Sequence, residues 1–270
     1  PLGFRQCQTQ RAGNFGDQRY FEGENLPTMN IGGNEFVDFG GDPYQFVNGM
    51  QGGDTFSVHF ASNGAMQLEL YRWDGLSATF VLVEQGKAGA AEQVVSHEYI
   101  AGMYYFPMVR QVAAGPVAPF RMFAIGCDLH FSMTQGSIAN PAGMAGIISV
   151  GAVNVNNYDA RTSLETYSSL GGGIFNLTLT LCGPTGCTTG TYGPQGFAGT
   201  SAACANIAGL LALQLADPLL AADPLGNLKR VDIGGVDIAY AMVDEFESDN
   251  DERHATPLLL DGVSANHIAS

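Results

Sequence analysis

A chain of 270 residues is long enough to bury a sizeable core and to form one or two domains. Apolar residues make up 46% and charged residues only 14%, the reverse of a disordered composition. The 26 acidic residues outnumber the 11 Lys and Arg, for a formal charge of -15. That argues against a nucleic-acid partner, which needs a basic footprint. No apolar run approaches the ~18 residues of a membrane span, so no membrane partner is expected either. The chain opens Pro1-Leu2-Gly3-Phe4 without an initiator Met, which reads as an interior start.

Residues 1 to 31 are polar and Gly-rich with no clear period. From about 32 to 132 the pattern is β. Phe56, Val58 and Phe60 alternate with Ser57 and His59, as in a half-buried strand. Phe36/Val37/Phe39, Tyr44–Val47, Leu68/Leu70, Phe80–Val83 and Arg121–Ile125 are further β-rich runs. Gly52-Gly53-Asp54, Ser62-Asn63-Gly64 and Asp74-Gly75 are turn signals between them. Short strands separated by such turns predict a β-sandwich without helix. From 133 to 270 the character changes. Gly146–Val153 reads as a fully buried strand, Asn154–Asp159 as a polar loop and Phe175–Leu181 as another strand. Thr200–Leu215 is the strongest helix, apolar most of the way round and therefore expected to be buried, with Asp217-Pro218 ending it. Strand, loop and buried helix are α/β in character.

Gly199-Thr200-Ser201-Ala202-Ala203 stands at the start of that helix. A serine there has unpaired backbone N–H groups beside it that can hold an oxyanion, and a glycine two residues earlier admits a substrate backbone. On the tripeptide alone, plain helix capping by Thr200 or Ser201 is the commoner reading. The surroundings alter that balance. Phe197–Gly209 resembles the nucleophile motif of the subtilisin-like serine proteases, a G-T-S run opening a buried helix and ending in A-G. Ile148–Val153 resembles that family's buried strand, Tyr167-Ser168-Ser169-Leu170-Gly171 its aromatic-S-S-x-G turn, and Thr191-Tyr192-Gly193-Pro194 the approach to the nucleophile. Ala12-Gly13-Asn14-Phe15-Gly16 resembles the A-G-N-x-G turn whose Asn amide donates to the oxyanion; its alternative is a turn residue in a Gly-rich loop.

The resemblance implies an α/β fold, part of a subtilisin-like parallel-sheet domain with an inserted antiparallel β-sandwich. It implies a serine endopeptidase acting on a polypeptide substrate through an acyl-enzyme on Ser201. The site residues so implied are Ser201 and Asn14 as catalytic groups, with Gly13, Gly199 and Thr200 shaping the oxyanion and substrate loops. The segment 32–132 resembles the jelly-roll-like or pre-peptidase C-terminal-like sandwiches of bacterial subtilases, and a secreted location is expected. The alternative is an inactive, subtilase-derived β-sandwich binding module.

Three departures stand out. The strand before Asn14 should be apolar but reads Gln6-Cys7-Gln8-Thr9-Gln10-Arg11. The acid and base should precede Asn14, yet none of its thirteen predecessors is Asp or His. His59, His97, His130, His254 and His267 all lack the family context and read as surface or structural residues. The chain is therefore expected to carry half the machinery and to be inactive alone. Ala205 replaces the usual helix proline, which helical geometry tolerates, and Cys204 beside it reads as a small buried residue.

No C-x-x-C spacing occurs, so no metal site is read, and no cofactor is expected. Cys182-Gly-Pro-Thr-Gly-Cys187 either closes a disulfide around a turn or leaves two thiols. The acidic run Asp244–Glu252 reads as a solvated loop rather than a calcium site. The sequon Asn176-Leu177-Thr178 falls in the expected strand Phe175–Leu181 and is discounted there.

Overall fold

The structure, a computed structural model, describes residues 9–157, 164–216, 229–233, 236–240, 257–260 and 263–266. The acidic run Asp244–Glu252, His254, His267 and Cys7 lie outside the described residues. The chain divides into two compact units. One comprises Pro1–Gly13, Asn140–Ser168 and Leu179–Ser270; the other comprises Asn14–Ala139 and Ser169–Thr178. The sheets are mixed: the first unit has a mainly parallel sheet with some antiparallel pairs and the second is antiparallel, with one described α-helix. The α/β expectation therefore holds only for the first unit.

In the second unit, apolar alternation sets the strands as expected. Thr55–Ser62 buries Phe56, Val58, Phe60 and Ser62 and turns the intervening residues outward. A four-stranded sheet runs in the order Tyr20–Gly23, Phe120–Ile125, Thr55–Ser62, Glu92–Glu98. The facing sheet is built on Tyr104–Gln111, which pairs with Met66–Asp74 and with Asn34–Val37; Thr79–Gln85 completes a hairpin with Met66–Asp74 across Asp74-Gly75. Both sheets contribute to one core, in which Phe56, Phe60, Leu68, Leu70, Tyr105 and Met122 are sealed from solvent. The unit starts before residue 32, because Tyr20–Gly23 pairs antiparallel with Phe120–Ile125.

Two strands go beyond the sequence reading. Glu92–Glu98 hides Gln93 and Val95 and exposes Val94, so hydropathy points the wrong way. The buried Gln93 amide takes the place of a ladder: its Oε1 accepts from Leu68 N at 2.9 Å and its Nε2 donates to Met66 O at 2.9 Å. Tyr104–Gln111 contains Pro107, which lacks an N–H and normally marks an edge or a break, yet the strand is central.

A buried carboxylate also organises this unit. Glu22 accepts from Tyr20 Oη at 2.6 Å and from Ile174 N at 2.7 Å. Gly136 and Gly173, both at positive φ, leave the space its oxygens occupy. Burial, then the hydrogen bond to Glu22, drives the Tyr20 hydroxyl well above the ordinary tyrosine range. The loop so anchored corrects the expectation of a strand over Phe175–Leu181. Gly173–Asn176 is a turn with Asn176 at φ 47°, and the sequon Asn176 and Thr178 are exposed rather than buried.

The first unit is a five-stranded sheet in the order Thr9–Arg11, Ile148–Asn154, Leu181–Thr185, Val236–Tyr240, Lys229–Ile233; the first four strands are parallel. Ile148–Asn154 is buried through Val153, as its unbroken apolar run predicts. The polar Thr9–Arg11 is a strand after all. Among the described residues it pairs with Ile148–Val150 alone, and a strand at the border of a sheet tolerates polar, part-exposed side chains. The described helix spans Thr200–Ala216, over the expected Thr200–Leu215, while Asp217-Pro218 lie outside the described residues. It packs against Ile148–Asn154 and Leu181–Thr185 through Ala203, Ile207 and Leu211. It is not buried all round: Ala205, Ala208, Gly209 and Ala212 are exposed, and Cys204 is only half-buried. Alanine counts as apolar in a pattern but loses little by facing water. Cys182 lies in a strand and Cys187 opens a hairpin with Gly193–Phe197; the two are thiols, not a bridge. Burial drives the Cys182 thiol far above the ordinary range.

Candidate active site

The site is built where a parallel sheet delivers the chain to a helix. Gly199 sits just before Thr200–Ala216 at φ 117°, a conformation that suits glycine alone. Its N–H donates to Thr185 Oγ1 at 2.8 Å and to Tyr167 Oη at 3.2 Å, while Thr185 Oγ1 donates back to Gly199 O at 3.2 Å. Tyr167 Oη in turn reaches Thr185 Oγ1 at 3.4 Å. The Gly199 carbonyl also accepts the first helical amides, from Ala202 at 3.1 Å and Ala203 at 3.3 Å. The buried Thr185 thus clamps the residue that opens the helix. Tyr167, from the aromatic-S-S-x-G turn, braces it. Sequence reasoning missed Thr185; its one signal was a hydroxyl residue closing a strand without other polar side chains.

The same clamp disposes Thr200 and Ser201 differently. Thr200 is fully buried, whereas Ser201 is half-buried and opens toward solvent at the helix N-terminus. Helix N-termini present N–H groups and the positive end of the macrodipole, which favour negative charge beside Ser201. The helix approaches the sheet closely at Gly183, where an added Cβ would lie 2.6 Å from Ala203 O and 2.7 Å from Ile207 Cγ1.

The side chain that reaches Ser201 was not foreseen. Arg11, at the end of the edge strand, donates from Nη1 to Ser201 Oγ at 3.2 Å. Its backbone is held by the parallel register Arg11–Val150 and by Ala12 N donating to Val150 O at 2.9 Å. A guanidinium stays protonated at any physiological pH and has no acceptor, so Arg11 cannot take the hydroxyl proton. Gly13 is buried at φ 112° at the end of this unit, and Asn14, exposed, opens the other. Gly199, Thr200, Ser201 and Arg11 therefore form the local constellation.

The three described histidines belong to the sandwich. His59 shares a hydrogen bond with Ser57 Oγ at 3.2 Å, His97 packs on Phe56 and Tyr105, and His130 packs on Phe131. Among the described residues no group of three His, Cys, Asp or Glu is placed to hold a metal ion. No described helix is long and apolar enough to cross a membrane.

The parallel sheet thus feeds a helix that carries Ser201 at its mouth, behind the clamped Gly199. Comparison with known proteins specifies the class. Residues 98–223 match the Subtilase family, and this stretch of the chain is subtilisin-like. Among solved structures the chain is similar to the CspB protease of Clostridium perfringens, with 15% identity and a TM-score of 0.55 over 83% of this chain and 53% of that one. The likeness is one of fold, and the chain spans about half the length of that protease. It also aligns with the pre-peptidase C-terminal domain of a Bacillus anthracis collagenase at 12% identity, over 46% of this chain and 100% of that one, but the TM-score of 0.27 carries no structural argument. No curated protein matches.

Proposed function

We propose that the chain is the nucleophile-bearing part of a serine endopeptidase, with Ser201 attacking the scissile carbonyl of a polypeptide and forming an acyl-enzyme. The observation that carries this reading is the half-buried Ser201 at the mouth of a helix whose preceding residue, Gly199, is held by Thr185 and Tyr167. The subtilase match over 98–223 supports it. In this reading the Ser201 N–H and the Asn14 amide hold the oxyanion, Gly13, Gly199 and Thr200 shape the loops around the substrate, and proton transfer falls to a His and an Asp that residues 1–270 do not supply. A secreted location suits this role.

A fluorophosphonate probe tests the assignment. The full-length protein should label, and Ser201→Ala should abolish labelling; labelling that survives the substitution removes Ser201 from its role. Residues 1–270 alone should not turn over peptides. A second reading, an inactive subtilase-derived binding module, is favoured by the cation on Ser201 Oγ where a base is needed. Under that reading the full-length protein does not label at all.

A further inference from the structure

Arg11 has no role in the reading above, yet its guanidinium is the side chain that reaches the Ser201 hydroxyl. We infer that Arg11 is an electrostatic catalytic residue, whose guanidinium stabilises the tetrahedral anion formed on Ser201 Oγ. The inference rests on Ser201 being the nucleophile and adds a group to its machinery.

The argument is geometric. In a tetrahedral adduct Oγ and the oxyanion are bonded to the same atom, so a donor 3.2 Å from Oγ is within reach of the oxyanion as well. Arg11 carries five N–H donors in a planar fork, and one contact to Ser201 leaves others for a second oxygen. Among the described residues it enters no ion pair; the ion pairs there are Arg19–Asp128 and Arg110–Glu69. Its charge is therefore not neutralised by a carboxylate among the described residues. The helix Thr200–Ala216 adds its N-terminal field on the same side of the reaction. The strand Thr9–Arg11 fixes where the side chain starts, because its register with Ile148–Val150 belongs to the sheet that carries the helix.

In the chemical step an Oγ lone pair forms the bond to the carbonyl carbon. The carbonyl π pair moves onto oxygen, and the hydroxyl proton passes to a base of imidazole class outside the described residues. Arg11 gains or loses no proton. It pairs with the new oxyanion; when the carbonyl re-forms, the C–N bond breaks, its electron pair stays on nitrogen, the protonated base returns the proton to that nitrogen, and the free amine leaves.

Phenylboronic acid provides a test that needs no turnover. In mildly alkaline buffer its boron accepts an Oγ lone pair, the hydroxyl proton is released to solvent hydroxide, and a tetrahedral boronate anion results. Binding of phenylboronic acid to the 270-residue chain is followed by boron-11 NMR, with far-UV circular dichroism as the folding control. The wild-type chain should form the tetrahedral species. Arg11→Gln should weaken it by about tenfold or more, and Arg11→Lys should recover part of the loss by restoring the charge. Ser201→Ala should abolish the signal. An adduct that persists in Ser201→Ala defeats the Ser201 assignment, and the inference with it. Loss in Ser201→Ala with unchanged or tighter binding in a folded Arg11→Gln overturns the Arg11 role and leaves Ser201 standing. No adduct on the wild-type chain also overturns the Arg11 role, and the fluorophosphonate result then judges Ser201 separately.

Discussion

The seating of the Ser201 helix on its sheet depends on a missing side chain at Gly183. Replacing it with alanine sets a methyl group 2.6 Å from the Ala203 carbonyl oxygen and 2.7 Å from Ile207 Cγ1. The first obstacle is helix backbone, so relief requires moving the helix rather than rotating a side chain. Overpacking of this kind costs typically 1–3 kcal/mol, and the backbone obstacle puts Gly183→Ala near the upper end, at about 3 kcal/mol. Gly209, on the same helix, provides the opposite control. It is exposed, with nothing within 4 Å of an added Cβ. Gly209→Ala should therefore stabilise by up to about 1 kcal/mol through helix propensity. Urea unfolding followed at 222 nm reads the described helix, while fluorescence of the single tryptophan, Trp73, follows the sandwich. With a slope of ~1–3 kcal/mol/M, Gly183→Ala should lower the midpoint at 222 nm by about 1 M or more. A Gly183→Ala midpoint within about 0.2 M of wild type, or a Gly209→Ala loss as large as that expected for Gly183→Ala, would refute the close-packing argument.

Further outcomes follow from individual contacts. Thr185→Val preserves shape but strips the Gly199 N–H of its 2.8 Å acceptor, and should cost about 1–3 kcal/mol in the same urea titration; a neutral result would show that Tyr167 alone suffices. Gln93→Leu leaves Leu68 N and Met66 O without the amide that joins them and should destabilise the sandwich by about 2 kcal/mol, read by Trp73 fluorescence. Burial, reinforced by Asp128, pushes the Cys127 thiol up to about 12 from an ordinary 9.0. The native state then holds this proton more tightly than the unfolded state. Stability is unaffected below pH 9 and falls as pH rises from 9 toward 12, by at most about 4 kcal/mol from this group. Cys127→Ala should flatten that alkaline decline in unfolding titrations; an unchanged slope would exclude Cys127 as its source.

Much of the architecture is legible in the residues because apolar period and burial agree there. Phe56, Val58 and Phe60 announce their strand, Ile148–Val153 its buried sheet position, and Thr200–Leu215 its helix. The reading fails where a polar group is buried with its own partners. Gln93 looks like a surface residue because hydropathy cannot see that its amide bonds two backbone groups. Pro107 looks like a break, yet its neighbours Tyr105, Met108 and Val109 are core residues and keep the strand central. At the site, Ser201 and Gly199 are marked by local motif, since the chain makes that turn within a few residues. Arg11 is 190 residues away from Ser201, and only the parallel pairing Arg11–Val150 brings it there. The polarity of Thr9–Arg11, unexpected for a strand, is tolerated where it borders the described sheet, with Arg11 at the end nearest Ser201.

The backbone contact between Leu129 N and Gln18 O, and the Thr134 hydroxyl on Gly16 O, tie together the two ends of the Asn14–Ala139 stretch. This matters for how the polypeptide reaches its native state. Pairing Gln10 with Ser149 requires closing a loop of 139 residues, an entropic penalty that grows with the logarithm of loop length. Once the sandwich has formed, its clasped ends shorten the effective loop to about twenty residues and reduce that penalty by roughly 2 kcal/mol. A sandwich that forms first would thus act as a scaffold for pairing Thr9–Arg11 with Ile148–Val150, and a lesion in its core should slow formation of the five-stranded sheet although it lies far away in sequence.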